Sequence, residues 1–83
     1  MKLFSVYDVK ADHFSKPFFD ESTANAVRGF EVVVNQDGTP FNQFPDDFRL
    51  YELGEFSRLD GSFKSVKLDL GAARVMLRSK QPN

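Results

Sequence analysis

The 83-residue chain has no cysteine. That excludes a disulfide framework and a thiolate metal site, and it suits a reducing cytoplasm. It has one histidine, His13, set in a polar stretch where a solvated role is the ordinary one. Its serines (Ser5, Ser15, Ser22, Ser57, Ser62, Ser65 and Ser79) sit in no nucleophile elbow. Asp37-Gly38-Thr39 lacks the spacing of a phosphate-cradling loop, and Asp46, Asp47, Glu52 and Glu55 do not follow a calcium-loop pattern. No long apolar run is present: the first one ends at Asp8, short of a signal-peptide core or the roughly 20 residues of a membrane span. Repeats, linkers and low-complexity segments are also lacking. These absences predict a non-enzymatic protein with no cofactor, no metal and no membrane attachment.

What is present is globular material: 41% apolar residues, 28% charged residues and ten phenylalanines. A chain of this size forms one domain, residues 1–83, burying only about 60 to 65% of its unfolded surface, so most phenylalanines must fill the core. Residues 79–83 are expected to fray. The net charge of −1 argues against coating nucleic acid by bulk electrostatics. The distribution differs. Residues 1–57 hold five Lys/Arg against ten Asp/Glu, giving −5, and residues 58–83 hold six against two, giving +4. A basic end on an acidic body fits local contact with phosphate; a solvated terminal segment would show the same imbalance.

Leu3, Phe4, Val6, Tyr7 and Val9 predict a strand over residues 2–9 with apolar bulk on both faces. Residues 10–16 read as a loop and Pro17-Phe18-Phe19 as a brief extended segment. Asp20 or Ser22 supplies an N-cap, and Ala26, Val27, Phe30, Val33 and Val34 recur at helical spacing, predicting a helix over 22–35. The β-branched run Val32-Val33-Val34 suits a strand equally. Gln36 to Pro40 is turn chemistry, and Pro45-Asp46-Asp47 reads as one helical turn. Residues 48–57 form the longest strand, with Phe48, Leu50 and Phe56 on one face and Tyr51 and Leu53 on the other. Gly54 marks a bulge or a close approach. Asp60-Gly61 signals a hairpin into a strand over 62–70, and residues 72–78 suit a helical turn or an edge strand. The expected fold is α+β: a small antiparallel sheet of three to four strands with one helix packed on one face. The other face, with Tyr7, Tyr51 and Leu53, is then exposed, covered by the C-terminal segment, or buried in a homodimer.

One stretch carries kinship. Pro45-x-Asp47-Phe48-x-Leu50-Tyr51-x-x-Gly54-Glu55-Phe56, preceded by Ala26-Val27-Arg28-Gly29-Phe30 and Asn35 and opened by Met1-Lys2-Leu3-Phe4-Ser5-Val6-Tyr7-Asp8, resembles the small nonstructural protein of gokushovirus-type microviruses, phages with single-stranded DNA. The likeness covers roughly residues 1–63. It implies a factor that engages viral DNA, the viral replication complex or procapsid proteins, and diverts synthesis from genome replication to packaging; it brings no catalytic residues. Charge and aromatic placement in this chain nominate the DNA contacts, preferentially to single strands. Lys64, Lys67, Arg74, Arg78 and Lys80 are candidates for phosphate, and Tyr51 and Phe63 for base stacking, which is worth roughly 1 to 3 kcal/mol per base. The rival is a protein–protein adaptor or dimerising accessory factor with no DNA contact, which the acidic body favours.

Overall fold

In the computed structural model, which describes residues 1–78, the aromatic and β-branched opening segment forms β1 (Lys2–Asp8). Two short strands follow, β2 (His13–Phe14) and β3 (Phe18–Asp20), and then helix α1 (Thr23–Val34). A helical turn, α2 (Pro40–Gln43), leads to the long strands β4 (Phe48–Phe56) and β5 (Phe63–Ala72), and a last turn, α3 (Ala73–Met76), closes the described chain. Residues 79–83, expected to fray, lie outside the described residues. Among the described residues no helix is long and apolar enough to cross a membrane.

The sheet corrects the expected architecture. It has five antiparallel strands rather than three to four, ordered β2-β1-β4-β5, with β3 also on β1; three helical segments replace the single helix. The difference arises at residues 10–20. One edge of β1 pairs with β4 along its whole length, and the opposite edge would be bare. β2 pairs Phe14 with Tyr7, β3 pairs Phe18 with Phe4, and Ser15 between them takes up Val6: its backbone N–H donates to the Val6 carbonyl at 2.8 Å and its Oγ accepts from the Val6 N–H at 3.0 Å. Backbone groups along a strand must find partners, and here two- and three-residue strands supply them.

Helix α1 begins where the spacing predicts. Ser22 caps it by accepting from the Asn25 N–H at 3.1 Å, and Ala26, Phe30 and Val34 are buried against Phe4, Val6 and Leu50 of the sheet and Ala73 and Met76 of α3. The Val32–Val34 run stays helical because Val34 is packed in this core and the carbonyls of the last turn are taken up by side chains. The Asn35 amide donates to Glu31, the Thr39 hydroxyl to Val33 and the Asn42 amide to Val34, at 2.8 to 3.0 Å. The helical turn expected at Pro45–Asp47 falls upstream instead, where Thr39 offers a cap to the Asn42 N–H and Pro40 takes the first position.

Register decides which side chains share a face. β4 pairs Glu52 with Phe4 but Gly54 with Leu3, so Leu53 is an extra residue and the strand bulges there. The bulge moves Phe56, expected beside Phe48 and Leu50, to the face turned away from α1. Its ring meets Phe19 at 6.5 Å, and Phe63 is its partner on β5.

Candidate nucleic-acid interface

The sheet face opposite α1 carries an aromatic cluster at one end. A tight connection between β1 and β2 builds it: the Asp8 carboxylate accepts from the N–H groups of Lys10 and Ala11 at 3.0 and 3.1 Å, and Asp12 adopts a left-handed backbone with φ of 58°. The chain therefore reverses within four residues and lays Phe14 beside Tyr7, ring centroids 4.9 Å apart. From β4, Tyr51 meets Phe14 edge-on at 5.3 Å and Tyr7 at 6.2 Å. From β5, the Lys67 ammonium stands 5.6 Å above the Phe14 ring, within reach of its negative face. Tyr7, Asp12, His13, Phe14, Tyr51 and Lys67 line a recess of about 400 Å³.

Polar contacts fix this geometry. The Tyr7 hydroxyl donates to the Asp12 carboxylate, and that hydrogen bond, with burial and the Asp12 charge, raises the Tyr7 pKa above its ordinary value. At the rim, Arg49 Nε donates to Asp69 at 2.8 Å. Burial pushes the Asp69 carboxyl up, but hydrogen bonds from Arg49, the Gly71 N–H and Tyr51 prevail and hold it below the usual carboxylate range. Asp69 thus neutralises Arg49, and Lys67 faces the rings. Such a site offers planar stacking surfaces, hydroxyl groups and one ammonium, which suit a nucleobase and a single phosphate better than a long run of backbone.

The structure brings Tyr51 and Lys67 together and sets the other nominated residues apart. Phe63 lies on the same face near the far end of β4, roughly 15 Å along the strand. Lys64 pairs with Glu55 on the opposite face. Arg74 forms a two-pronged bond to Asp46, Nε to Oδ1 at 3.0 Å and Nη2 to Oδ2 at 2.8 Å. That bond lowers the Asp46 carboxyl and raises the Arg74 guanidinium. Arg78 binds Glu31 at 2.7 Å. Lys80 lies outside the described residues.

Spacing along the chain reads His13 and Phe14 as part of a loop. The signal for them is Val9-Lys10-Ala11-Asp12, four residues between Asp8 and His13-Phe14, a connection short enough only for a reversal. No curated protein and no solved structure matches the chain. The family model described as Phage ORF5 protein matches residues 1–75, which include every residue of the recess. The chain belongs to the Phage ORF5 protein family.

Proposed function

We propose that this phage protein is a gokushovirus-type small nonstructural protein that binds viral single-stranded DNA through the Tyr7–Phe14–Tyr51 recess. It acts in the host cytoplasm in the switch from genome replication to packaging, beside replication-complex or procapsid proteins. One observation carries the reading: three aromatic rings and the Lys67 ammonium converge on a sheet face that α1 does not cover. Bases stack on such rings with little sequence preference, and the single cation suits one backbone phosphate. Nucleic-acid contact therefore rests on stacking rather than on the C-terminal charge.

The two tyrosines of the chain both belong to this recess, and the chain has no tryptophan. Tyrosine emission is therefore a built-in reporter. Titration with single-stranded oligonucleotides should quench it, and the anisotropy of a labelled oligonucleotide should rise in parallel. Affinity should fall with salt at a slope of about −0.7, the value for one neutralised phosphate. Lys67→Ala should flatten that slope. Absence of quenching and of anisotropy change at low salt would remove DNA contact from the function.

The adaptor reading has its own support. Arg58, Arg74 and Arg78, the arginines of the basic end, already pair with Glu21, Asp46 and Glu31. If no oligonucleotide binds, docking on the purified viral replication initiator, measured by calorimetry, becomes the test of function.

A further inference from the structure

We propose that two copies of this chain associate through β5, in antiparallel register with Leu68 on the two-fold axis. β5 bonds to β4 on one side, and among the described residues no strand covers its other side. The opposite edge of the sheet ends in strands of two and three residues, the usual way of blunting an edge, whereas β5 runs for ten. Its first seven residues are exposed, and on the α1 side of the sheet they carry Val66 and Leu68, 38% and 52% accessible.

Symmetry and charge select the register. Two copies related by a two-fold axis through the sheet keep their apolar faces on one side only if a residue of β5 sits on the axis. Centring on Lys67 sets two ammonium groups opposite each other. Centring on Val66 sets Lys64 against Leu68. Centring on Leu68 places Leu68 against Leu68, Val66 against Leu70, and Lys67 against Asp69 of the second copy, twice over. Only this last arrangement pairs opposite charges on one face and apolar side chains on the other. Each Asp69 would then lie between its own Arg49 and Lys67 of the second copy. The dimer would be a continuous ten-stranded sheet with both α1 helices on one side and both aromatic recesses on the other. The Lys67 ammonium would leave the Phe14 ring for Asp69 of the second copy, so the dimer stands apart from the DNA reading and competes with it for that cation.

The absence of cysteine makes the register measurable, because Leu68→Cys introduces the sole thiol. Sedimentation across a concentration series should show wild type passing from monomer to dimer. Lys67→Asp and Asp69→Lys should each raise the dimer dissociation constant roughly tenfold, and the double exchange should restore it. On mild oxidation Leu68→Cys should form a covalent dimer much faster than Val66→Cys, since only on the axis do two Cα atoms lie within disulfide reach. Far-UV circular dichroism controls for the folded monomer. A wild type that stays monomeric throughout, or faster cross-linking of Val66→Cys, overturns the proposal.

Discussion

The ring of Phe63 lies directly on the backbone of Gly54, where a Cβ would stand 2.1 Å from the ring's Cζ atom. Every other residue type is thereby excluded at position 54 unless the ring moves. Because the Leu53 bulge turns Gly54 to the face away from α1, this contact lets an edge-strand aromatic close over β4. Gly54→Ala makes the half-exposed Phe63 ring swing aside and should lower stability by about 1 kcal/mol, the low end of the overpacking range. In urea unfolding the double variant Gly54→Ala/Phe63→Ala should lose less than the two single losses added together. Additive losses would show that the ring and the glycine act independently.

Glu52 is a carboxylate only 8% exposed, on the α1 side of the sheet. It accepts from the Thr23 hydroxyl at 2.6 Å and lies 3.4 Å from the Lys2 ammonium, tying the first turn of α1 to the sheet. Glu52→Ala leaves both partners without their acceptor and should cost about 1 to 3 kcal/mol in thermal or urea unfolding. Lys2→Ala, which keeps the Thr23 bond, should cost less.

Asn35 joins the end of α1 to the end of the described chain. Its amide nitrogen donates to the Glu31 and Met76 carbonyls at 2.8 and 3.0 Å, and its oxygen accepts from the Arg78 N–H at 2.7 Å. Asn35→Ala should reduce stability by about 1 to 2 kcal/mol and speed hydrogen exchange at the Arg78 amide. Asn35→Asp keeps an acceptor for Arg78 but sets a carboxylate oxygen against the Glu31 and Met76 carbonyls, so it should lose at least as much stability as the alanine variant.

Acid should destabilise the fold in a predictable window. The Arg74 hydrogen bond lowers Asp46 and the Ser62 hydroxyl and N–H lower Asp60, while the bonds to Asp69 outweigh its burial. Folded values below the unfolded ones mean that this stabilisation is fully present above the ordinary carboxylate pKa of about 4 and disappears as pH falls through the folded values. Denaturant midpoints should therefore be flat near neutrality and fall below about pH 4. The fall should be shallower in Asp46→Asn. An equally steep fall in that variant would show that the Arg74 pair does not contribute.

Tyr7 shifts the opposite way. Its raised value means that the Asp12 hydrogen bond stabilises the fold below the ordinary tyrosine pKa of about 10 and is lost as pH rises through the folded value. In ultraviolet titration Asp12→Asn should bring the Tyr7 step down toward its ordinary position.

The long elements were legible because each repeats a pattern over several turns or pleats. The α1 stripe Ala26-Phe30-Val34, the aromatic strand from Phe48 and the Asp60-Gly61 reversal all stand close to where spacing places them. β2 and β3 were not legible, since two or three residues hold no period and pair only because β1 has an open edge. Likewise Phe56 changed faces through a one-residue bulge that alternation cannot register. The recess followed the same division. Tyr51 and Lys67 stand out by type, but Phe14 joined them only through a left-handed Asp12.

The amino-acid order by itself determined the helix, the three long strands, the absence of thiol chemistry and the charge imbalance, because these depend on local periodicity and composition. Tertiary structure alone decided where the cations point. Arg74 and Arg78, adjacent in sequence to the other basic residues, turned to Asp46 and Glu31, separated from them by 28 and 47 positions, while Lys67 turned to the aromatic face. A side chain's partner is set by whichever opposite charge or ring folding brings within a few ångströms, and no spacing along the chain encodes that distance.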